Sequence, residues 1–201
     1  MKYYAIRGNE WEGVYTSWDE CVNKRKGGQC KSYKTKEEAL KFIRGELDYE
    51  IGKYKEEKEN FKIEEDIYSF VDGSFNSETN TYGCGGFLVV KDKRYEISGS
   101  GCDDLSSMRN VAGEILGARL AVEKAIELNL KEITIYYDYL GIENWVTGKY
   151  TAKKEGTILY RDYMQKAKEK IDIKFRKVKG HIGIPGNEEA DKLAKKAVGI
   201  K

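Results

Sequence analysis

No stretch of this chain approaches the roughly 20 consecutive apolar residues needed to cross a bilayer, and its N-terminus lacks the apolar core of a signal peptide. A cytoplasmic protein with no membrane partner is expected. Cysteines are few, and none of Cys21, Cys30, Cys84 and Cys102 stands in a CxxC pair, which argues against a zinc ribbon and fits reduced structural thiols. An excess of one charge is lacking too. The 36 Lys and Arg nearly cancel 34 Asp and Glu, leaving a formal +2, so a nucleic-acid partner must be argued from local patches. There is no internal repeat, and the whole chain has one histidine, His181. Its 201 residues leave room for a full catalytic domain and a smaller module.

Residues 1–47 read as a small ββα-type unit. Strand-like runs at Lys2–Arg7 and Gly13–Trp18 precede a basic, glycine-containing loop. Thr35 with Glu38 then forms a capping box ahead of Ala39, Leu40, Phe42 and Ile43. Residues 48–65 are rich in Lys and Glu, contain no proline and carry too few apolar side chains for a core, so they are expected to form a charged linker. From residue 66 to residue 201 the patterning strengthens. Short β-branched and aromatic runs at 67–71, 86–90 and 94–98 predict three antiparallel strands. A helix over 110–128 follows, with Val111, Ile115, Ala118, Val122 and Ile126 on one stripe. A strand at 133–138, helical segments near Ile142 and over 157–170, a strand at 173–178 and a helix over 188–198 complete the order βββαβαβα. That order implies a mixed α/β sheet of five strands with helices on its faces.

Four carboxylates stand in telling places. Asp72 ends a buried-type strand just before Gly73, and Asp138 closes a second apolar strand, at the edge where open α/β sheets place their chemistry. Glu114 borders the apolar stripe of its helix, and Asp191 borders the stripe of Ala190, Leu193, Ala194 and Ala197 in the last one. Singly, each fits a turn or a solvated surface. Together, converging carboxylates would repel one another unless cations compensate them, and hard oxygen ligands suit Mg²⁺ or Mn²⁺.

The runs VDGSFN (71–76), RNVAGEI (109–115), YYD (136–138) and VKGHIGIPGNEEAD (178–191) resemble, in order, the four signature blocks of type 1 ribonuclease H. The resemblance covers roughly residues 67–198 and implies the ribonuclease H-like fold and cleavage of the RNA strand of an RNA·DNA hybrid. It further implies Asp72, Glu114, Asp138 and Asp191 as catalytic acids holding two Mg²⁺ or Mn²⁺ ions per active site, with Asp72 bridging both. The resemblance also implies in-line attack by water on the scissile phosphate with the 3′-oxygen as leaving group, and so products with 5′-phosphate and 3′-hydroxyl ends. By the same resemblance His181 serves proton transfer or product departure, Glu188 contacts a 2′-hydroxyl, and Asn76 and Asn110 are substrate contacts. The sequence departs from the family at Tyr139, where a small polar residue is common, and at Val111–Gly113, which replace an Asn-rich stretch. It also has no room between Trp145 and Thr157 for a long basic protrusion; Lys149, Lys153 and Lys154 are either its short remnant or a solvated loop.

YYAIRG (3–8), GVYTSWDEC (13–21) and KSYKTKEEALKFI (31–43) resemble the hybrid-binding, viroplasmin-like domain found ahead of many type 1 ribonucleases H. Trp18 would stack on the DNA strand and Lys31 would hold a phosphate. Here too there are departures: a shortened loop over 22–29, and Cys30 where an aromatic is common. The expected partner is an RNA·DNA hybrid and the expected state a monomer. A catalytically degenerate hybrid-binding protein, or another nuclease of the same fold, is the competing reading.

Overall fold

A computed structural model describes residues 2–47, 61–180 and 183–200, which fall into two units, 1–61 and 62–201. Most of the expected linker, residues 48–60, lies outside the described residues; 61–65 carry neither helix nor strand.

The first unit contains β1 (Tyr3–Arg7), β2 (Gly13–Tyr15), α1 (Trp18–Lys24), β3 (Gln29–Tyr33) and α2 (Lys36–Ile43), its sheet ordered β2-β1-β3. It therefore has one strand and one helix more than a ββα unit. The strand expected to reach Trp18 stops at Tyr15, because Ser17 accepts the Glu20 backbone N–H and opens α1, with Asp19 and Glu20 favouring the helix N-terminus. Seven residues of helix are too few to show a period, and Tyr15 and Trp18 imitate strand composition. The capping box at Thr35 and Glu38 is present as read. Alternation along β1 assigns the faces. Ala5 meets Ala39 and Phe42 of α2, with Tyr3, Val14 and Tyr33 packed around them. Tyr4 lies on the other face, its ring 5.3 Å from that of Trp18.

Cys30, paired in register with Ile6, is disulfide-bonded to Cys21 of α1, which corrects the expectation of reduced thiols. No CxxC motif signals it, because it takes the packing of α1 against the sheet to bring Cys21 and Cys30 of β3, nine residues apart in sequence, to a Cα separation of 6.8 Å. The core against α2 holds Ala5, Ala39 and Phe42, with Ile6 and Cys21 also fully buried, and a core this small is the kind that gains most from such a staple.

The second unit runs β4 (Ile67–Asn76), β5 (Thr81–Val90), β6 (Lys93–Gly101), a 3₁₀ turn (Asp104–Met108), α3 (Asn110–Glu127), β7 (Glu132–Tyr137), α4 (Gly141–Thr147), α5 (Glu155–Ala167), β8 (Asp172–Lys177) and α6 (Pro185–Ala197). The sheet order is β6-β5-β4-β7-β8; β5 is antiparallel to β4 and β6, while β7 runs parallel to β4 and β8. This is the mixed five-stranded α/β architecture expected. The first strands outrun their apolar segments. β4 continues through Asp72, Gly73 and Ser74 opposite Gly85, Cys84 and Gly83 of β5, where ladder hydrogen bonds need no apolar side chain to form.

One sheet face, through Val71, Leu88, Ile133, Ile135 and Tyr137, meets Ala118, Ala121, Val122 and Ala125 of α3. On the other, Phe70 stacks on Tyr136 at 4.7 Å and lies 5.6 Å from Phe87 below α6. Two glycines set the distances between layers. A Cβ on Gly113 would come within 2.0 Å of the Gly83 carbonyl, and one on Gly85 within 2.0 Å of the Ala194 nitrogen. Without side chains there, α3 and α6 lie directly on β5. Among the described residues no helix is long and apolar enough to cross a membrane.

Candidate active site

Strands β4 and β7 pair at Tyr68↔Thr134, Ser69↔Ile135 and Phe70↔Tyr136 and then part. Two residues beyond the last rung, the same register sets Asp72 beside Asp138. Both acids therefore stand at the fork where neighbouring strands separate, and Asp138 lies just past the end of β7. Glu114 comes from the first turns of α3. A Cβ on Gly73 would sit 2.4 Å from both the Glu114 nitrogen and the Asn110 carbonyl oxygen, so the bare glycine backbone admits the helix close enough for its carboxylate to reach the fork. Ligand oxygens of Asp72, Glu114 and Asp138 all lie within 4.8 Å of one another.

Burial first, then the charge of Asp138, pushes the Asp72 carboxyl up to about 6. Burial and then the charge of Asp72 hold Glu114 well above the ordinary carboxylate range, and its Oε2 is buried with no hydrogen-bond partner among the described residues. Three carboxylates this close cannot all ionise in a low-dielectric pocket without a compensating cation. An all-oxygen donor set with an unpartnered buried oxygen suits a hard divalent ion.

Asp191 is placed differently. It extends from α6 and accepts a 2.6 Å hydrogen bond from Lys195 one turn on; its charge is still felt at Asp72. The described structure thus gathers three of the four acids and holds the fourth nearby with an ammonium group as its counter-charge.

Glu188 lies partly buried in the first turn of α6, and Asn110 is exposed as the first residue of α3. Asn76 is committed to the fold: its Nδ2 donates to the Val198 carbonyl at 2.9 Å, and its Oδ1 accepts from the Glu78 backbone at 3.0 Å. His181 lies outside the described residues. In the first unit Trp18 is 47% exposed, whereas Lys31 points to the opposite sheet face, its ammonium 5.1 Å from the Phe42 ring centroid. Those two candidates do not share a face. Sequence reasoning passed over Trp11, also exposed, which with Tyr15 flanks the Lys24 ammonium at 5.5 and 5.0 Å. It gave no role to Asn187 either, although that residue sits inside the most specific motif.

The family model described as RNase H matches residues 64–199. The chain belongs to the ribonuclease H family. A second model, the Ribonuclease H1 N-terminal domain, matches residues 2–43. Human Ribonuclease H1 is 26% identical over 96% of this chain and 88% of its own length. Ribonuclease H of Francisella tularensis subsp. novicida is 31% identical over 70% of this chain and 95% of its own. Among solved structures, the fold is shared with RNase H1 from Halobacterium salinarum: TM-score 0.53, 20% identity, covering 66% of this chain and 96% of that one. The chain is thus a ribonuclease H enzyme, of a metal-dependent family that hydrolyses the RNA strand of RNA·DNA hybrids, and it carries the acidic cluster such chemistry requires.

Proposed function

We propose that this ribonuclease H cuts the RNA strand of hybrids by two-metal-ion catalysis, leaving 5′-phosphate and 3′-hydroxyl ends. The observation that carries the reading is the convergence of Asp72, Glu114 and Asp138 at the β4–β7 fork. Those three with Asp191 would hold the ions, Mg²⁺ or Mn²⁺. Bound there, the ions would supply Lewis-acid activation of water and stabilisation of the leaving 3′-oxygen. Asp72, close to both Glu114 and Asp138, would be a ligand held in common. To hold a metal, Asp191 would have to give up its contact with Lys195, which would leave Lys195 available to a phosphate oxygen. Glu188, one helical turn before Asp191, is suited to a 2′-hydroxyl, the group that separates RNA from DNA. His181 assists proton transfer or product departure. Lys149, Lys153 and Lys154 precede or open α5 and would meet phosphates of the hybrid. The first unit, with Trp18 and Lys31, serves as an affinity module.

End-labelled RNA·DNA hybrid incubated with Mg²⁺ beside duplex DNA and duplex RNA tests this reading. Cleavage of the RNA strand of the hybrid alone is expected, stopped by chelator, with product 5′ ends that resist a 5′-hydroxyl kinase until dephosphorylated. Cutting of duplex DNA at a similar rate, or products with 5′-hydroxyl ends, would overturn it.

A further inference from the structure

The buried face of α6 begins with a residue that does not belong on an apolar stripe. Asn187, Ala190 and Ala194 recur at helical spacing and are all buried, so the period calls for an aliphatic side chain at 187. The amide there is only 4% exposed, and its Oδ1 is buried with no partner among the described residues. Buried polar groups left half-satisfied are unfavourable and rare. What the amide does make is one bond: Nδ2 donates to Oδ2 of Asp138 at 3.3 Å.

Asp138 needs a support of this kind. It stands one residue beyond the end of β7, past the last rung shared with β4, so the ladder that orients its predecessors no longer holds it. Its Oδ2 is hemmed in on one more side by backbone, since a Cβ on Gly180 would lie 2.6 Å from that oxygen. Glycine and asparagine, both from the segment joining β8 to α6 and the first turn of α6, thus close on a single carboxylate oxygen.

From this geometry we infer that Asn187 is a positioning residue: its amide fixes the rotation of the Asp138 carboxylate so that it meets a divalent cation already aligned with Asp72 and Glu114. The inference rests on the metal-holding role proposed for these acids. Outer hydrogen bonds of this type, when removed, cost roughly 10–100-fold in metal affinity or activity.

The test uses the full chain and Mn²⁺ alone as probe, with Asn187→Leu, which keeps the volume and loses the donor, and Asn187→Ser, which is smaller, polar and too short to reach. Calorimetry is expected to show Mn²⁺ binding weakened about tenfold or more in either variant. In cleavage assays the half-saturating Mg²⁺ concentration should rise and kcat fall, while KM for the hybrid stays within about twofold, since phosphate contacts lie elsewhere. An amide that merely fills space would instead lower the melting temperature and leave Mn²⁺ affinity unchanged in whichever variant folds, and that result overturns the inference. Absence of Mn²⁺ binding in the unsubstituted protein would count against the metal-holding role itself, not against the support of Asp138 by Asn187.

Discussion

Asp72→Asn should abolish cleavage and at the same time make the metal-free protein more stable at neutral pH. The loss follows from removing the proposed metal ligand on β4: several kcal/mol of transition-state charge stabilisation would disappear, about a thousandfold or more in rate at 1.36 kcal/mol per factor of ten. Hybrid binding should persist, because most phosphate contacts lie elsewhere. The gain in stability follows from the carboxyl being pushed up to about 6 in the folded state. A group whose folded value lies above its unfolded value holds its proton more tightly when folded, so stability is full below about pH 4 and declines as pH rises toward about 6. Above that window the penalty is complete, on the order of a few kcal/mol. Asparagine cannot ionise and escapes it. Melting of the metal-free protein across pH 4 to 8 should therefore show a fall in the native chain that is much reduced in the variant, and Mg²⁺ should raise the melting temperature of the native chain more than that of the variant. Equal pH dependence in both would mean that Asp72 is not the strained acid of the cluster.

Deletion of the first unit, in a protein beginning near Ile63, should spare the chemistry and raise KM for long hybrids. The catalytic unit has a short segment between Trp145 and Thr157 where a long basic protrusion would grip substrate, so a tethered second contact supplies a larger share of affinity. Stacking by one aromatic is worth roughly 1–3 kcal/mol, so Trp18→Ala should weaken binding by about one to two factors of ten at every salt concentration. Lys31→Ala should have a smaller effect that fades as salt rises and should flatten the salt dependence by about one ion. Because the two side chains belong to opposite faces of the small sheet, their effects should add. Cleavage at saturating substrate should change little in any of these variants. A truncated chain that bound long hybrids as tightly as the intact one would assign residues 1–47 to a different partner.

Much of the catalytic fold is legible in the sequence because its elements are amphipathic and long. The eighteen-residue α3 and the apolar β7 declare themselves by period; the four acids stand at the ends or borders of such periods, but their joint role is implied by the resemblance of the blocks that contain them and not by the period. What is not legible is set by backbone proximity. Gly73 and Ser74 of β4 and Gly83, Gly85 and Gly86 of β5 carry no strand signal, yet the glycines among them let α3 and α6 descend onto the sheet. Helix α1 is invisible for a different reason: its seven residues span two turns, and its cap at Ser17 sits inside an aromatic run that imitates a strand. The Cys21–Cys30 bond depends on that helix and was hidden with it. Asn187 was in plain view, but only the closeness of Asp138 and Gly180 gives its amide a task. The placement of Asp191 against Lys195 likewise depends on one helical turn whose ion pair competes with any metal, and spacing cannot say which partner holds the carboxylate.

The most direct test of the account is to count the ions. Crystals of the unsubstituted protein with an RNA·DNA hybrid whose scissile 3′-oxygen is replaced by methylene, so that it cannot be cut, grown with Mn²⁺ in place of Mg²⁺, would be measured at the manganese absorption edge. Two anomalous peaks are expected, both ligated by the Asp72 carboxylate, with the scissile phosphate between them. A single peak, or peaks that leave Asp72 without a ligand bond, would contradict two-metal catalysis at the β4–β7 fork.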